Sequence, residues 1–454
     1  MLRYPVLAEA RLAARVRERL TVHRKRCVSA TLAASLLLGL SSPPAVAGDN
    51  LSIQREISKN LIIDNETRFL RATGRPAPTP DHLPGPGEPE APAEAQVSHN
   101  TAALPQFGYD PAAGAIFGVK YSNVNFGPEN RNLDVGATWS TEGEVNGDVT
   151  LSDPHLAGSR WIGIAQFAYA LTPTKQFFGL GNDYTDGHVL STHEAHAARA
   201  LFTLARRLGP HLAVGATLGY STLSISHGEL QDKPSTVALF PGLPGIRGGQ
   251  VSPASLSVVY NTQRDLTRPY HGWNVTAKVQ RVAPVLGNRF NFTRYLFDAS
   301  YLFPLGSPQR VVGLRFDTEY VSGSGNDLPF FEMASLGGAN SLPGYFPDRF
   351  LGQRRTFVQA EYRTLLADFD FHHLWRVRID GAVFAGAGRV YLSRSRLPSD
   401  LDVSAVSPGA DGSWRPSYGA GLRIALSEAL LARVEAGFSP ESRGLFYLAF
   451  GTVF

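Results

Sequence analysis

The sequence predicts an all-β protein, an antiparallel transmembrane β-barrel, and three observations carry that prediction. Long stretches alternate apolar and polar residues with a period of two. Beyond Leu40 no apolar run approaches the ~18 residues of a membrane-crossing helix. The chain opens on an export-type leader and closes on an aromatic strand that ends at Phe454. The 355 residues from 100 to 454 divide into 16 units of about 22 residues, each holding a spanning strand of ~10 residues and its connection. Sixteen strands therefore fit best, although other even numbers from 12 to 18 satisfy the same arithmetic.

The leader comes first. Arg24-Lys25-Arg26 runs into the apolar segment Val28 to Leu40, which is followed by small residues up to Ala45-Val46-Ala47. That order gives a signal peptide over residues 1–47, with cleavage after Ala47. An uncleaved anchor is the competing reading, but a segment of 13 residues falls short of the ~20 a helix needs to cross a bilayer. An Arg-rich organelle presequence shares the same composition. The whole chain carries 43 basic and 39 acidic residues, a net charge of +4. Eight of the basic and two of the acidic residues lie in the leader, so the remainder carries 35 against 37, a net of −2. The basic surplus thus belongs to the leader, and no basic patch for nucleic acid is expected. The single cysteine, Cys27, lies there too, which leaves the remainder without disulfides or cysteine metal sites.

Residues 48–105 read as a periplasmic lead-in. Leu51 to Ala72 could form a short amphipathic helix through Ile53, Ile57, Leu61 and Phe69, or an irregular lead-in. Arg75 to Ala95 holds seven prolines and reads as a stiff, solvated linker.

The barrel is expected over 106–454, and its alternation is clear from Phe117 onward. In Val311 to Tyr320, Val312, Leu314, Phe316 and Tyr320 share one face while Arg315, Asp317 and Glu319 share the other. Three charges opposite large apolar groups suit a strand between lipid and a wet lumen. Phe357 to Thr364 repeats the division with Gln359, Glu361 and Arg363, and Leu431 to Phe438 repeats it with Arg433 and Glu435. Further strands are expected at Leu133 to Trp139, Trp161 to Leu171, Leu212 to Tyr220, Phe290 to Phe303 and Tyr418 to Ile424. Any one of these could equally be a half-buried strand of a soluble sheet. Their repetition behind an export signal favours the barrel. At the C-terminus Phe446, Leu448, Phe450 and Phe454 fall on one face, and a closing strand ending in phenylalanine is expected to be read by the barrel assembly machinery.

Four segments, in order along the chain, resemble the bacterial surface antigen superfamily of 16-stranded outer-membrane barrels, which includes BamA, TamA and the two-partner secretion transporters. Phe177-Phe178-Gly179-Leu180-Gly181-Asn182 is one. Arg264-Asp265 followed by Pro269-Tyr270-His271-Gly272 is the second. The most specific is Leu336-Gly337-Gly338-Ala339-Asn340-Ser341-Leu342-Pro343-Gly344-Tyr345, followed by Ala360-Glu361-Tyr362-Arg363. The last is Phe384-Ala385-Gly386-Ala387-Gly388-Arg389-Val390. The resemblance covers about 107–454. It implies a luminal loop carrying Gly337, Gly338, Leu342, Gly344 and Tyr345, set against a barrel wall marked by Phe384 and Gly388.

Two departures from the family pattern qualify what it implies. The family's loop arginine pairs with a wall aspartate, and here those positions hold Pro343 and Gly386. Losing both leaves neither charge stranded, so the loop is expected to enter the lumen through backbone bonds and Tyr345 packing, without its arginine–aspartate latch. The second departure is length: about 60 residues between Ala47 and the barrel are too few for a POTRA domain of ~75 beside the proline-rich linker. A POTRA-less member is expected.

No catalytic chemistry stands out. His193-Glu194-Ala195-His196 is one residue shorter than a zinc-protease motif and reads as a polar strand edge or loop. His372-His373 beside Trp375 suits a turn or interfacial belt, Ser322-Gly323-Ser324-Gly325 a flexible loop, and no Gly-x-Ser-x-Gly elbow occurs. The expectation is a non-enzymatic barrel without cofactor or metal, whose partners are outer-membrane lipid, the assembly machinery and an unidentified protein client. It would assist protein transport or membrane insertion through its lumen or a seam between first and last strands. A diffusion pore or a barrel lipid hydrolase are the alternatives. The expected lumen charges are Arg315, Asp317, Glu319, Glu361, Arg363, Arg433 and Glu435.

Overall fold

The computed structural model describes residues 101–126, 131–156, 160–182, 188–228, 232–263, 268–371, 375–399, 401, 412–426 and 430–450. The expected signal peptide, the 51–72 segment, the proline-rich linker, Arg264-Asp265, His372-His373 and Phe454 lie outside the described residues.

Sixteen strands form one closed sheet. They are β1 (Thr101–Asp110), β2 (Gly114–Phe126), β3 (Arg131–Ser140), β4 (Val145–Asp153), β5 (Trp161–Phe177), β6 (Ser191–Arg207) and β7 (Leu212–His227). Strand β8 comes in two segments, Gly248–Val251 and Ala254–Asn261, and is followed by β9 (Gly272–Val282), β10 (Phe292–Pro304), β11 (Arg310–Val321) and β12 (Arg354–Phe371). The barrel is completed by β13 (Trp375–Tyr391), β14 (Arg415–Leu426), β15 (Leu430–Ser439) and β16 (Ser442–Phe450). Each strand pairs antiparallel with the next, and β1 meets β16 at Tyr109↔Leu448. The break in β8 falls at Pro253, which has no N–H to give to the ladder. Pairing with β7 keeps one register across the break, from Leu218↔Ala254 to Ser221↔Val251, because the N–H of Gly219 still donates to the carbonyl of Pro253 at 2.8 Å.

The two-residue alternation sets the inside and outside of the wall. On β11, Leu314 and Phe316 are exposed while Arg315, Asp317 and Glu319 are buried. Phe167 on β5, Phe202 on β6, Leu218 on β7 and Leu256 on β8 continue the exposed apolar belt. A belt of that extent suits hydrocarbon as its solvent. The inner wall is lined differently around the barrel: Ile162, Ile164, Ala205, Ala213 and Val259 form a small apolar cluster on β5 to β8, whereas β10 to β15 carry the densest ionic groups, with Lys120 and Asp134 buried on β2 and β3.

The longest connections, 228–247, 322–353 and 392–414, all lie at one end, although that end also carries the short turns 111–113, 141–144 and 440–441. The opposite end bears short turns such as 208–211 and 305–309. Short periplasmic turns and long outer loops are the pattern of bacterial outer-membrane barrels. The long loops fold together into a dome with its own core of Phe177, Phe240, Phe290, Phe330, Met333 and Leu392, among others. Rings of Phe177 and Phe240 lie 5.7 Å apart, and those of Phe177 and Phe330 5.6 Å.

Two sequence expectations need correction. The strand expected from Phe290 begins at Phe292; Phe290 is a dome residue, packed edge-on to Phe331 at 5.9 Å, and its apolar character reports loop packing instead of lipid contact. His193 to His196 is neither a strand edge nor a loop but interior sheet, with β6 paired to β5 and β7 on its two sides. His193 faces inward against Thr236, while His196 meets Glu194 at 2.8 Å two residues away on the opposite face.

Candidate functional site

The 322–353 loop leaves β11 over the dome and then turns down into the barrel. Its stem is a two-stranded ribbon, Ala334–Leu336 against Phe350–Gly352. Beyond Leu336 the chain reverses at Gly337 and Gly338, with φ of 125° and 84°, a region that glycine enters without steric cost. Ser341 Oγ closes this turn, donating to the Gly337 carbonyl at 2.8 Å and accepting the Gly337 N–H at 3.0 Å. The tip is Pro343-Gly344-Tyr345.

The tip is seated almost wholly by neutral hydroxyls on its own backbone. Ser417 Oγ of β14 donates to the carbonyl of Pro343. Ser439 and Ser442, at the ends of β15 and β16, both donate to the Gly344 carbonyl, at 2.7 and 2.6 Å. Tyr447 of β16 acts twice: its hydroxyl accepts the Gly344 N–H at 3.2 Å and donates to the Tyr345 carbonyl at 3.0 Å. Tyr345 donates its own hydroxyl to the Pro416 carbonyl at 3.1 Å. Burial, with the Glu441 carboxylate adding to it, pushes the Tyr345 phenol up to about 12, so it remains a donor at neutral pH.

This approach is close enough to demand glycine on both sides. A Cβ on Gly344, whose φ is 96°, would lie 2.7 to 2.9 Å from the backbone C, O and N of Phe438. One on Gly437 would lie 2.5 Å from the Gly344 nitrogen. Replacing Gly344 by valine is therefore expected to unseat the tip while leaving the barrel folded. Limited proteolysis checks this: new cuts within 337–349 are expected at unchanged heat-modifiable mobility, and a protected loop would refute the close-contact argument.

The wall behind the loop carries the expected motif residues. Leu336 rests against Gly388, where a Cβ would come within 2.9 Å of its Cδ1. Leu336, Leu342, Tyr345, Phe350, Phe357 and Val390 form one buried cluster. Phe384 lies over Gly419, its cross-strand partner on β14. Gly386 is the cross-strand partner of Ser417. The Pro343 carbonyl thus sits beside the wall position that lacks its aspartate, and a serine hydroxyl stands in for the ionic contact.

The family's latch pair is replaced by Pro343 and Gly386, and a different ionic contact, which the sequence did not suggest, ties the loop elsewhere. Arg349, on the return limb, makes a two-pronged contact with Glu441 in the β15–β16 turn, 2.7 Å from Nε and 3.0 Å from an Nη. Its guanidinium is buried against Phe350 and Phe178, 4.7 and 5.2 Å from the ring centroids. The neighbouring Asp348 pairs with Lys175 of β5. The loop is therefore tied to both sides of the barrel.

The seven expected lumen charges fall into two networks, both buried. Arg315 pairs with Asp298 at 2.8 Å and also donates to the Asn340 carbonyl of the loop at 3.0 Å. Asp317 and Glu319 share Arg355, at 3.2 and 3.0 Å, and Glu319 also meets Arg294 at 2.9 Å. Arg355 in turn donates to the Ser335 carbonyl of the ribbon at 3.1 Å. In the second network Arg423 bridges Glu361 at 2.5 Å and Glu435 at 2.6 Å. Arg433 lies 3.6 Å from Glu435 and donates to the Asn340 side-chain carbonyl at 2.8 Å. Arg363 lies 3.4 Å from Glu361 and donates to the Pro269 carbonyl at 2.7 Å.

That last bond leads to a feature the sequence did not flag. On the short-turn end of the barrel, Arg268, just before β9, lies inward and grips Asp380 of β13 with two bonds of 2.9 and 3.0 Å. The lumen is therefore braced from both ends.

The matched family accounts for this arrangement. The Omp85 superfamily domain aligns with residues 125–442, which includes the luminal loop and both networks. The chain belongs to the Omp85 superfamily. Among solved structures, BamA from Haemophilus ducreyi lacking POTRA domains 1–3 is similar at 16% identity with a TM-score of 0.56, over 78% of this chain and 70% of that one. CdiB from Escherichia coli gives 14% identity and a TM-score of 0.52, over 81% of this chain and 64% of that one. CdiB from Acinetobacter baumannii gives 12% and 0.50, over 77% and 58%. At such identities the likeness is one of fold. Among curated proteins, none matches the sequence. Omp85 barrels are outer-membrane proteins of Gram-negative bacteria that serve as transporters or insertases and not as enzymes.

Arg349, Glu441, Arg268, Asp380, Arg355 and Arg423 belong to the site but were not singled out from the sequence. Arg355 and Arg423 could have been, since both sit at inward positions of alternating strands. The Arg349–Glu441 and Arg268–Asp380 pairs are separated by 92 and 112 residues and follow no local pattern.

Proposed function

We propose that this Omp85 barrel sits in the outer membrane and assists insertion or transport of protein clients at the seam between β1 and β16, not as an open pore. The carrying observation is the pairing at that seam. Among the described residues β1 and β16 share one register pair, Tyr109↔Leu448, whereas β1 and β2 pair without a break from Thr101↔Asn123 to Asp110↔Gly114. A boundary with so few backbone bonds is the least costly place to part the wall, and a strand edge exposed there offers pairing to an incoming β-strand. The apolar dome and the seated loop support the same reading, since both obstruct axial flow.

The remaining parts of the proposal follow the sequence. Residues 1–47 act as the export signal, the residues from 48 up to β1 as a periplasmic lead-in without POTRA domains that ends at Thr101, five residues earlier than the sequence alone suggests, and Phe454 as the mark read by the assembly machinery. The chain has no catalytic role.

A disulfide across the seam tests the mechanism. Tyr109→Cys with Leu448→Cys places two thiols at a registered pair, with Cys27 in the leader as the sole native cysteine. In proteoliposomes the reduced form is expected to accelerate folding of an unfolded outer-membrane barrel, and oxidation to abolish the gain. Equal acceleration in both redox states would refute lateral action. A steady conductance from the untreated protein would favour the pore.

A further inference from the structure

The outer face of the barrel is not uniform at its dome end. On four successive strands, β10 to β13, Tyr295, Tyr320, Arg354 and Tyr391 form one ladder, each registered opposite the next. Tyr295, Arg354 and Tyr391 are exposed, and below the next outward pair, Thr318 and Thr356, the face turns apolar with Phe316 and Val358. Tyrosines at such a boundary mark the edge between hydrocarbon and headgroups.

Three arginines converge on this edge. Arg354 lies over the Tyr320 ring at 5.2 Å, and Arg396, from the 392–414 connection, lies over the same ring at 6.0 Å and donates to its hydroxyl at 2.7 Å. Arg389, one outward position below Tyr391 on β13, lies over Trp414 at 4.9 Å. Among the described residues none of the three is paired with a carboxylate, and all are exposed. Stacking holds each planar guanidinium in place while its N–H edge stays open to an anion. On β6, by contrast, the outward rim positions hold Glu194 and His196, hydrogen-bonded to each other at 2.8 Å.

We propose that this arginine–aromatic rim over β11 to β13 is a binding site for the phosphate groups of a phosphorylated glycolipid in the outer leaflet. The chemistry fits both halves of such a ligand. Phosphate oxygens accept bidentate guanidinium bonds, and the acyl chains descend along the exposed Phe316 and Val358 face. The inference rests on the membrane placement proposed above. It is read without any protein client, so its failure is distinguishable from failure of the insertion assay.

Native mass spectrometry of the purified full-length barrel in detergent tests it, with diphosphorylated lipid A and the same glycolipid stripped of both phosphates as probes. Wild type is expected to retain the phosphorylated form selectively. Combining Arg354→Gln, Arg389→Gln and Arg396→Gln should weaken that retention on the order of a hundredfold, from the summed attraction of three cations near an anionic surface. Arg396→Gln alone, in an exposed loop segment, gives a smaller loss in the same direction and guards against misfolding of the triple variant. Equal retention of both glycolipids, or a folded triple variant that binds as wild type does, would overturn the assignment. Displacement of the lipid by an equal concentration of inorganic phosphate would overturn it in favour of a free-anion site.

Discussion

Replacing Arg423 by leucine is expected to lower the stability of the folded barrel by about 3–5 kcal/mol, the cost of leaving buried carboxylates without their cation. Arg423 lies between Glu361 and Glu435, 2.5 and 2.6 Å away, and all three side chains are almost fully enclosed. Without the guanidinium, Glu361 keeps Arg363 at 3.4 Å and Glu435 keeps Arg433 at 3.6 Å, both poorer contacts than the ones lost. The urea midpoint of the detergent-solubilised barrel reads the effect. Adding Glu361→Gln to the leucine variant should recover part of the loss, because it removes one of the two stranded charges. A midpoint equal to wild type in the single variant would mean that water reaches this layer freely and that the network contributes little.

Arg349→Met is expected to act on the loop more than on the barrel. The substitution keeps much of the apolar contact with Phe350 and Phe178 but removes both bonds to Glu441. Hydrogen bonds to charged groups contribute about 1.5–3 kcal/mol, and Glu441 retains some access to solvent that softens its loss. The loop should then leave its seat for an appreciable fraction of the time. In planar bilayers the variant is expected to show frequent openings where the wild type is quiet, with little change in unfolding midpoint. Conductance as low as wild type would show that the tip and the dome suffice to hold the loop.

The fold was legible from alternation on most strands whose inner wall is ionic, although β13, with inward Arg378 and Asp380, was not singled out that way. On β11, β12 and β15 the inward charges and outward apolar groups contrast sharply, as Arg315, Asp317 and Glu319 illustrate. The contrast was weaker on β5 to β8, where the inward Ile162, Ile164, Ala213 and Val259 are apolar like the outer face, and β6 and β8 were not singled out. Loop packing produced the opposite error at Phe290, whose hydrophobicity serves the dome. The candidate site was visible as Gly337, Gly338, Gly344 and Tyr345 through the family resemblance, which persists there because backbone reversal and close approach constrain residue type. Its fastenings were not. Whether a serine such as Ser417, Ser439 or Ser442 donates to a carbonyl in a distant loop depends on tertiary placement, and no spacing in the chain announces it.

The hydroxyl seat has a mechanical corollary. Three of the side chains that hold the tip, Ser439, Ser442 and Tyr447, stand on the last hairpin, and β16 is also one lip of the seam. Since these donors and their carbonyl partners carry no net charge, ionic strength has little purchase on them. Bending the hairpin, by contrast, shifts all three at once. The loop is thereby geared to the lip: peeling β16 away from β1 would drag the clasp off the tip, so that parting the wall and clearing the lumen become a single motion.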